Sequence, residues 1–215
     1  MFKFSDFSEI FITEDKKNSK INEIHYSDLD GVLVHHDNSK LRIHVLGPNG
    51  EKVNSLTSTE FNNHVLPKDH KYDFSEFKSS DVFNNSDSPI KKIISKMKNL
   101  YDKGHKVEIL TARSDMDDQK KFAHTMKKFG IDIDKIHVRR SGNLNIKNPA
   151  EAKKKIISDA LEKKKFDKVH LYDDCKENLN AMISLKSNYP EVEFNAHHIL
   201  HDPKTGKTEI KTRKV

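Results

Sequence analysis

The sequence predicts an α/β fold, a doubly wound and mainly parallel sheet with a small hairpin-and-loop insertion after its first strand. From residue 88 onward, amphipathic stretches of helical period alternate regularly with short β-branched runs. Alternation of that kind implies right-handed crossovers between parallel strands. Ahead of it stands one more strand-like run, "HYSDLDGVLVHH" (25–36), which breaks on Gly31. The length of 215 residues suits one domain with room for an insertion, where two full domains would be cramped.

Residues 1–20 read as an amphipathic leader (Phe2, Phe4, Phe7, Ile10, Phe11) and a polar linker, with the domain spanning 21–215. The first strand covers about 22–28. "KLRIHVLGPNGEKVNSL" (40–56) reads as a β-hairpin, because Pro48-Asn49-Gly50 is turn chemistry between two alternating runs. Residues 57–88 show no clear period, and 35–88 together form a cap-like insertion. "SPIKKIISKMKNLYDKG" is a helix with Ser88 as N-cap, Pro89 in the first turn and Gly104 past the end. "HKVEILTA" is a strand. The next helix, "SDMDDQKKFAHTMKKFG", carries acids in its first turn and lysines in its last, as the macrodipole favours. "DKIHVRR", "PAEAKKKIISDALEKKK", "DKVHLYDD" and "KENLNAMISLKSNY" continue the strand and helix series. "EVEFNAHHIL" and "GKTEIKTRKV" close the sheet's edge as a hairpin across Asp202-Pro203.

Hydrophobic residues make up 34% of the chain and the mean hydropathy is −0.82, which describes a heavily charged protein with a modest core. A net charge of +6 makes polyanions natural partners. The single cysteine, Cys175, excludes an internal disulfide and points to a reducing compartment such as the cytoplasm, the host's if the chain is viral. No apolar run is long enough for a membrane span, and the start lacks the features of a secretory signal.

In doubly wound sheets the functional crevice lies beyond the carboxyl ends of the strands. Those ends carry Asp28-Leu29-Asp30, Thr111-Ala112-Arg113, Arg139-Arg140-Ser141 and Asp173-Asp174. In an extended chain the side chains of Asp28 and Asp30 share a face, and like charges that close expect a cation between them. Carboxylates converging from several strands suit a hard divalent ion, with Mg2+ the usual choice where phosphate completes the shell. An aspartate nucleophile would give an aspartyl-phosphate, and its neighbour two residues on is placed to serve as acid and then base. A hydroxyl (Thr111) and a lysine over the phosphate would stabilise the equatorial oxygens.

"DLDGVL" (28–33), "ILTAR" (109–113), a lysine in "AEAKKKII" (150–157) and "HLYDDCKEN" (170–178) resemble, in order and spacing, the four motifs of haloacid dehalogenase-like hydrolases. The resemblance covers roughly residues 22–185 and implies a Rossmann-like sheet and Mg2+-dependent phosphatase activity. It makes Asp28 the nucleophile, Asp30 the general acid/base and backbone-carbonyl metal ligand, and Thr111 the phosphate-binding hydroxyl. Asp174 resembles the acid that holds the metal, with Asp173 beside it in a double-Asp variant. Asn178 stands where many members carry a further acid. Lys147, Lys153, Lys154 and Lys155 are all available for the lysine role. Lys153 is favoured, near its helix start and four residues before Ile157, with Lys155 next. Val32 replaces a threonine common among phosphatases of the family.

Arg113 and Arg139, with Arg140, lie where they would grip a substrate phosphate. "YDDCKEN" also resembles the phosphatase half of polynucleotide kinase-phosphatases, which implies phosphorylated nucleic-acid ends or nucleotides as substrates. No Walker motif accompanies it. The alternative is a binding protein on a catalytically weak scaffold, since "MFKFSDFSEIFITE", with Ile12-Thr13-Glu14, resembles leaders of internal head proteins of T4-like phages. His35-His36-Asp37 and His197-His198 with His201-Asp202 lack a strong metal spacing and are read as ordinary strand and loop histidines. Cys175, without a catalytic partner, is read as structural.

Overall fold

The computed structural model describes residues 22–37 and 39–215, so the leader and Ile12-Thr13-Glu14 lie outside the described residues. The first strand, β1 (Glu23–Ser27), is buried along almost its whole length, because both of its edges and both of its faces are covered. The insertion follows with β2 (Val34–His36), β3 (Ile43–Leu46) and β4 (Lys52–Leu56). After it come α1 (Ser58–Asn63), β5 (Lys71–Asp73), α2 (Ser75–Lys78), α3 (Ser80–Ser86) and β6 (Asp87–Pro89). The hairpin expected over 40–56 is present as β3 and β4, turning through residues 47–50. The segment without visible period is structured after all, in pieces too short to show one. One of them, α1, is fastened by a capping box between Thr57 and Glu60.

The remaining elements are α4 (Lys91–Asp102), β7 (Lys106–Thr111), α5 (Gln119–Lys128), β8 (His137–Arg140), α6 (Pro149–Lys163), β9 (Lys168–Asp173), α7 (Lys176–Ile183), β10 (Glu193–His201) and β11 (Thr208–Lys214). One expectation is corrected at α4. Ser88 and Pro89 neither cap nor open the helix, because they belong to β6, which pairs antiparallel with β2 in a two-stranded ribbon. A proline is tolerated there because each strand of a two-stranded ribbon has a free edge.

The central sheet has six strands in the order β11-β10-β9-β1-β7-β8. All neighbours run parallel except β11, which returns antiparallel along β10 as the expected terminal hairpin. Chain order departs in opposite directions from β1, toward β7 and β8 on one side and β9 and β10 on the other. The carboxyl end of β1 is therefore the switch point, where such sheets leave a crevice. Two separate cores cover the two faces. Ile93, Ile94, Met97, Phe122 and Met126 pack over Val107 and Ile109 on one side. Ile157, Leu161, Leu179 and Met182 pack over Ile24, Tyr26, Leu110, Leu171 and Phe194 on the other. The alternation of Ile109 and Leu110 between the two cores is the strand period at work. Among the described residues no helix is long and apolar enough to cross a membrane.

The insertion has its own small core of Ile43, Val45 and Leu56, and its β4-β3-β5 sheet stands apart from the central one. It is bolted down by Phe83 of α3, fully buried and packed on Phe122 of α5 with ring centroids 5.0 Å apart. Phe83→Ala should therefore destabilise the whole protein by about 3–5 kcal/mol in urea unfolding, and a loss confined to the insertion would contradict this anchoring.

Candidate active site

Asp28 follows the last residue of β1, and its amide donates to the Tyr172 carbonyl at 2.8 Å, which keeps it in register with β9. Its carboxylate accepts the Leu29 amide at 2.7 Å and meets the Lys153 ammonium at 2.6 Å. Lys153 comes from α6, whose start is fixed by Pro149 and by the Asn148 side chain accepting the Ala150 and Glu151 amides. Lys153, Ile157 and Leu161 form one inward row at four-residue spacing, so the geometry that buries the two apolar residues also buries the lysine, at 1% exposure. The same ammonium donates to Asp173 at 2.7 Å.

Asp173 ends β9 fully buried, and its carboxylate also accepts the Asn178 side-chain amide and the Cys175 backbone amide. Asp174, one residue on, turns outward to the crevice. Gly31 makes room for it. A Cβ at that position would lie 2.3 Å from Asp174 Oδ2, and the φ of +71° is one that side chains resist. One ligand oxygen each from Asp28, Asp173 and Asp174 lies within 4.8 Å of the others, an all-oxygen set able to hold a hard cation. Burial is the main force pushing the Asp28 carboxyl well above its ordinary value, with Lys153 pulling it back and the neighbouring carboxylates pushing further. Asp174 is pushed up to about 7, first by the loss of water around it on the crevice floor and then by the charge of Asp173. Lys153 is held protonated by its two carboxylates, which outweigh the burial that opposes its charge.

A second knot adjoins the first. Arg113, almost wholly buried at 3% exposure, grips Asp30 through Nε and Nη2 at 2.7–3.1 Å and reaches Asp87 at 3.3 Å. Its guanidinium lies between the Phe77 and Phe83 rings and donates to the Phe77 carbonyl. His36 Nδ1 stands 3.5 Å from Asp30. Burial would raise the Asp30 carboxyl, but Arg113 overrides it and holds the group below its ordinary value. Asp87 receives the weaker share of the same guanidinium. Burial, with the charge of Asp30, pushes it from 3.8 to about 7.

Above both knots opens a cavity of about 1270 Å3, floored by Asp28, Asp30, Asp174 and Lys153 and walled on the insertion side by Phe61, Tyr72, Phe74 and Phe77. Gly142, in the turn after β8, lets two loops meet on its far wall, since a Cβ there would strike the Ala112 carbonyl at 2.4 Å. No protein-family model matches the chain, and no curated protein sequence does either.

Asp28, Asp30, Lys153, Asp173, Asp174 and Asn178, drawn from three distant stretches, thus come together. Of the four candidate lysines, Lys153 is the one that meets Asp28 and Asp173. Lys154 pairs with Glu151 and Lys155 with Asp159 on the outer face of α6, while Lys147 lines the cavity. Other expected roles are corrected. Thr111 is fully buried, and its hydroxyl oxygen accepts the Arg113 amide instead of lining the cavity. Arg113 lines the cavity, but Asp30, Asp87 and the Phe77 carbonyl engage its Nε, both hydrogens of Nη2 and one of Nη1, so a single Nη1 hydrogen is left and it cannot form a bidentate grip on a substrate phosphate. Arg139 turns away to Glu108 on the edge of the sheet, 2.9 Å from Nε, and Arg140 pairs with Asp115 and covers Phe122. The amide nitrogen of Asn178 is spent on Asp173. Asp87 was not anticipated, since it lies far from Arg113 in sequence and carries no local pattern that marks it, and His36, read as an ordinary histidine of His35-His36-Asp37, stands beside Asp30.

Between about pH 4 and 7 the folded protein keeps a proton on Asp87 that the unfolded chain has released, so this group's contribution to stability falls as pH rises through that window. Urea unfolding should show wild type losing stability relative to Asp87→Asn from about pH 4 to about pH 7, and a constant difference over that range would contradict a protonated Asp87.

Proposed function

We propose that this chain is a Mg2+-dependent phosphomonoester hydrolase of the haloacid dehalogenase-like type, working through an aspartyl-phosphate on Asp28. The observation that carries the reading is the sharing of one buried ammonium, Lys153, between Asp28 and Asp173 at 2.6 and 2.7 Å, with Asp174 beside them at the floor of an open cavity. A metal-only binding site has no need of a buried lysine, whereas a site that receives a dianionic phosphoryl group does.

The donors present fit Mg2+. Asp28, Asp174 and the backbone carbonyl of Asp30 would hold it, and it would neutralise charge on the phosphoryl oxygens. Asp173 is better understood as a positioning residue, since three donors already occupy its carboxylate. Asp28 attacks phosphorus, the ester bond breaks, and the leaving oxygen takes a proton from Asp30. Water then attacks the phosphorus, the Asp28–phosphorus bond breaks, and Asp30 takes the proton back. Lys153 stabilises the equatorial oxygens in both displacements. Arg113 favours ionised Asp30, the form that accepts the proton from water, so its grip assists the second step most.

The aromatic wall contributed by the insertion offers a stacking surface for a base, and Lys78, Lys147 and Lys207 around the mouth suit a phosphodiester backbone. These features, with the net charge of +6, favour nucleotides or phosphorylated nucleic-acid ends over sugar phosphates.

Wild type should hydrolyse p-nitrophenyl phosphate with Mg2+ and lose activity to a chelator. Asp28→Asn should lower kcat by at least about a thousandfold while leaving the fold intact by circular dichroism. An Asp28→Asn protein with full activity would remove the mechanism. Asp174→Asn should raise the Mg2+ concentration needed for half-maximal rate by about tenfold or more. Comparing 3'-phosphorylated oligonucleotides, mononucleotides and sugar phosphates then reads the substrate class from kcat/KM.

A further inference from the structure

Toward the amino end of β1, roughly 10 Å (His25) to 16 Å (Glu23) along the strand from Asp28, a second set of ligand-bearing side chains converges. Parallel register places His25 of β1 directly opposite His170 of β9. Glu23 lies two residues before His25 on the same face, and His105 enters just ahead of β7. Glu23 Oε1 is 2.5 Å from His105 Nδ1 and 3.4 Å from His25 Nε2, while its Oε2 is 3.5 Å from His170 Nε2. Three imidazole nitrogens thus face one carboxylate. Ligand atoms of Glu23, His25 and His170 all lie within 4.8 Å of one another.

His25 is 3% exposed, yet among the described residues neither of its ring nitrogens makes a hydrogen bond, and His170 Nε2 makes none either, the Glu23 oxygens standing 3.4 and 3.5 Å away without hydrogen-bond geometry. Buried polar groups are almost always hydrogen-bonded because leaving them unpaired is costly, which makes a buried imidazole that faces a carboxylate without bonding it an anomaly in a strand core. We propose that Glu23, His25, His105 and His170 bind a borderline-soft divalent ion of the zinc type.

Imidazole with carboxylate is a donor set suited to Zn2+ and Co2+, and unlike the all-oxygen set at Asp28 it does not favour Mg2+. The other nitrogen of His170 is already fixed, as it is for histidines that ligate metals. Nδ1 lies 3.1 Å from His197 Nε2, and His197 Nδ1 lies 2.9 Å from the Thr212 hydroxyl. Burial keeps His25 and His170 neutral, both pushed down to about 4, so each ring presents a lone pair at neutral pH. His25 and His170 are stacked, with centroids 4.1 Å apart, and closing on one ion requires the two rings to tilt apart. Half-exposed His105 and the partly exposed Glu23 leave an approach from solvent. An ion there ties together β1, β7 and β9 at the end of the sheet opposite the catalytic crevice.

The test titrates Co2+, then Zn2+, into the full-length protein at neutral pH with saturating Mg2+ present to occupy the carboxylate site. One equivalent of Co2+ should bind with the visible absorption of a nitrogen-ligated ion and be displaced by Zn2+. His25→Gln, His170→Gln and Glu23→Gln should each weaken binding by a hundredfold or more. Glu23→Gln, at a partly exposed position, covers the case in which a histidine variant fails to fold. Thr212→Val should weaken binding about tenfold through loss of the relay. Asp174→Asn should leave the signal unchanged. No absorption in wild type, a signal lost in Asp174→Asn, or full binding by folded Glu23→Gln would each overturn the proposal.

Discussion

The ammonium of Lys153 is the pivot of this molecule. Without it, Asp28 and Asp173 would stand as buried like charges at the ends of adjacent strands, and nothing would oppose the burial that pushes the Asp28 carboxyl upward. An ion held this deeply costs several kcal/mol in desolvation, and its attraction to two carboxylates offsets that only when the geometry is close. The distances of 2.6 and 2.7 Å satisfy the condition. The row of Lys153, Ile157 and Leu161 shows how the fold arranges it, with the apolar packing of α6 carrying the charge into place.

The second knot, around Arg113, connects the insertion to the chemistry. Asp30 comes from the turn after β1, Asp87 from β6 and the enclosing rings of Phe77 and Phe83 from α2 and α3. One guanidinium serving two carboxylates shares itself unequally. Asp30 stays ionised while Asp87 keeps a proton to about 7. The insertion thus walls the cavity and packs its rings against the guanidinium that holds Asp30 ionised.

The central sheet serves its two ends differently. At the carboxyl end, β1 and β9 finish in carboxylates and gather hard oxygen donors over an open cavity. At the amino end, the same two strands present imidazoles across their shared register, enclosed by the sheet face and largely withdrawn from water. Strand polarity separates two donor chemistries that would otherwise compete for the same ions.

Much of this was legible in the chain. Alternating period announced a parallel sheet, "PNG" announced a hairpin, and strand-terminal Asp28, Asp30, Asp173 and Asp174 announced a site, because period, turn chemistry and strand ends are local properties that a linear sequence expresses. Lys153 was legible in part, through its place in the inward row of α6. The pairing of Arg113 with Asp30 and Asp87, the burial of the Thr111 hydroxyl, the outward turn of Arg139 and the meeting of His25 with His170 were decided by tertiary structure alone. Each depends on which strand lies beside which and on where charges find partners once water is gone. Those are relations between distant segments, and a charged side chain carries no local mark of the partner it will meet.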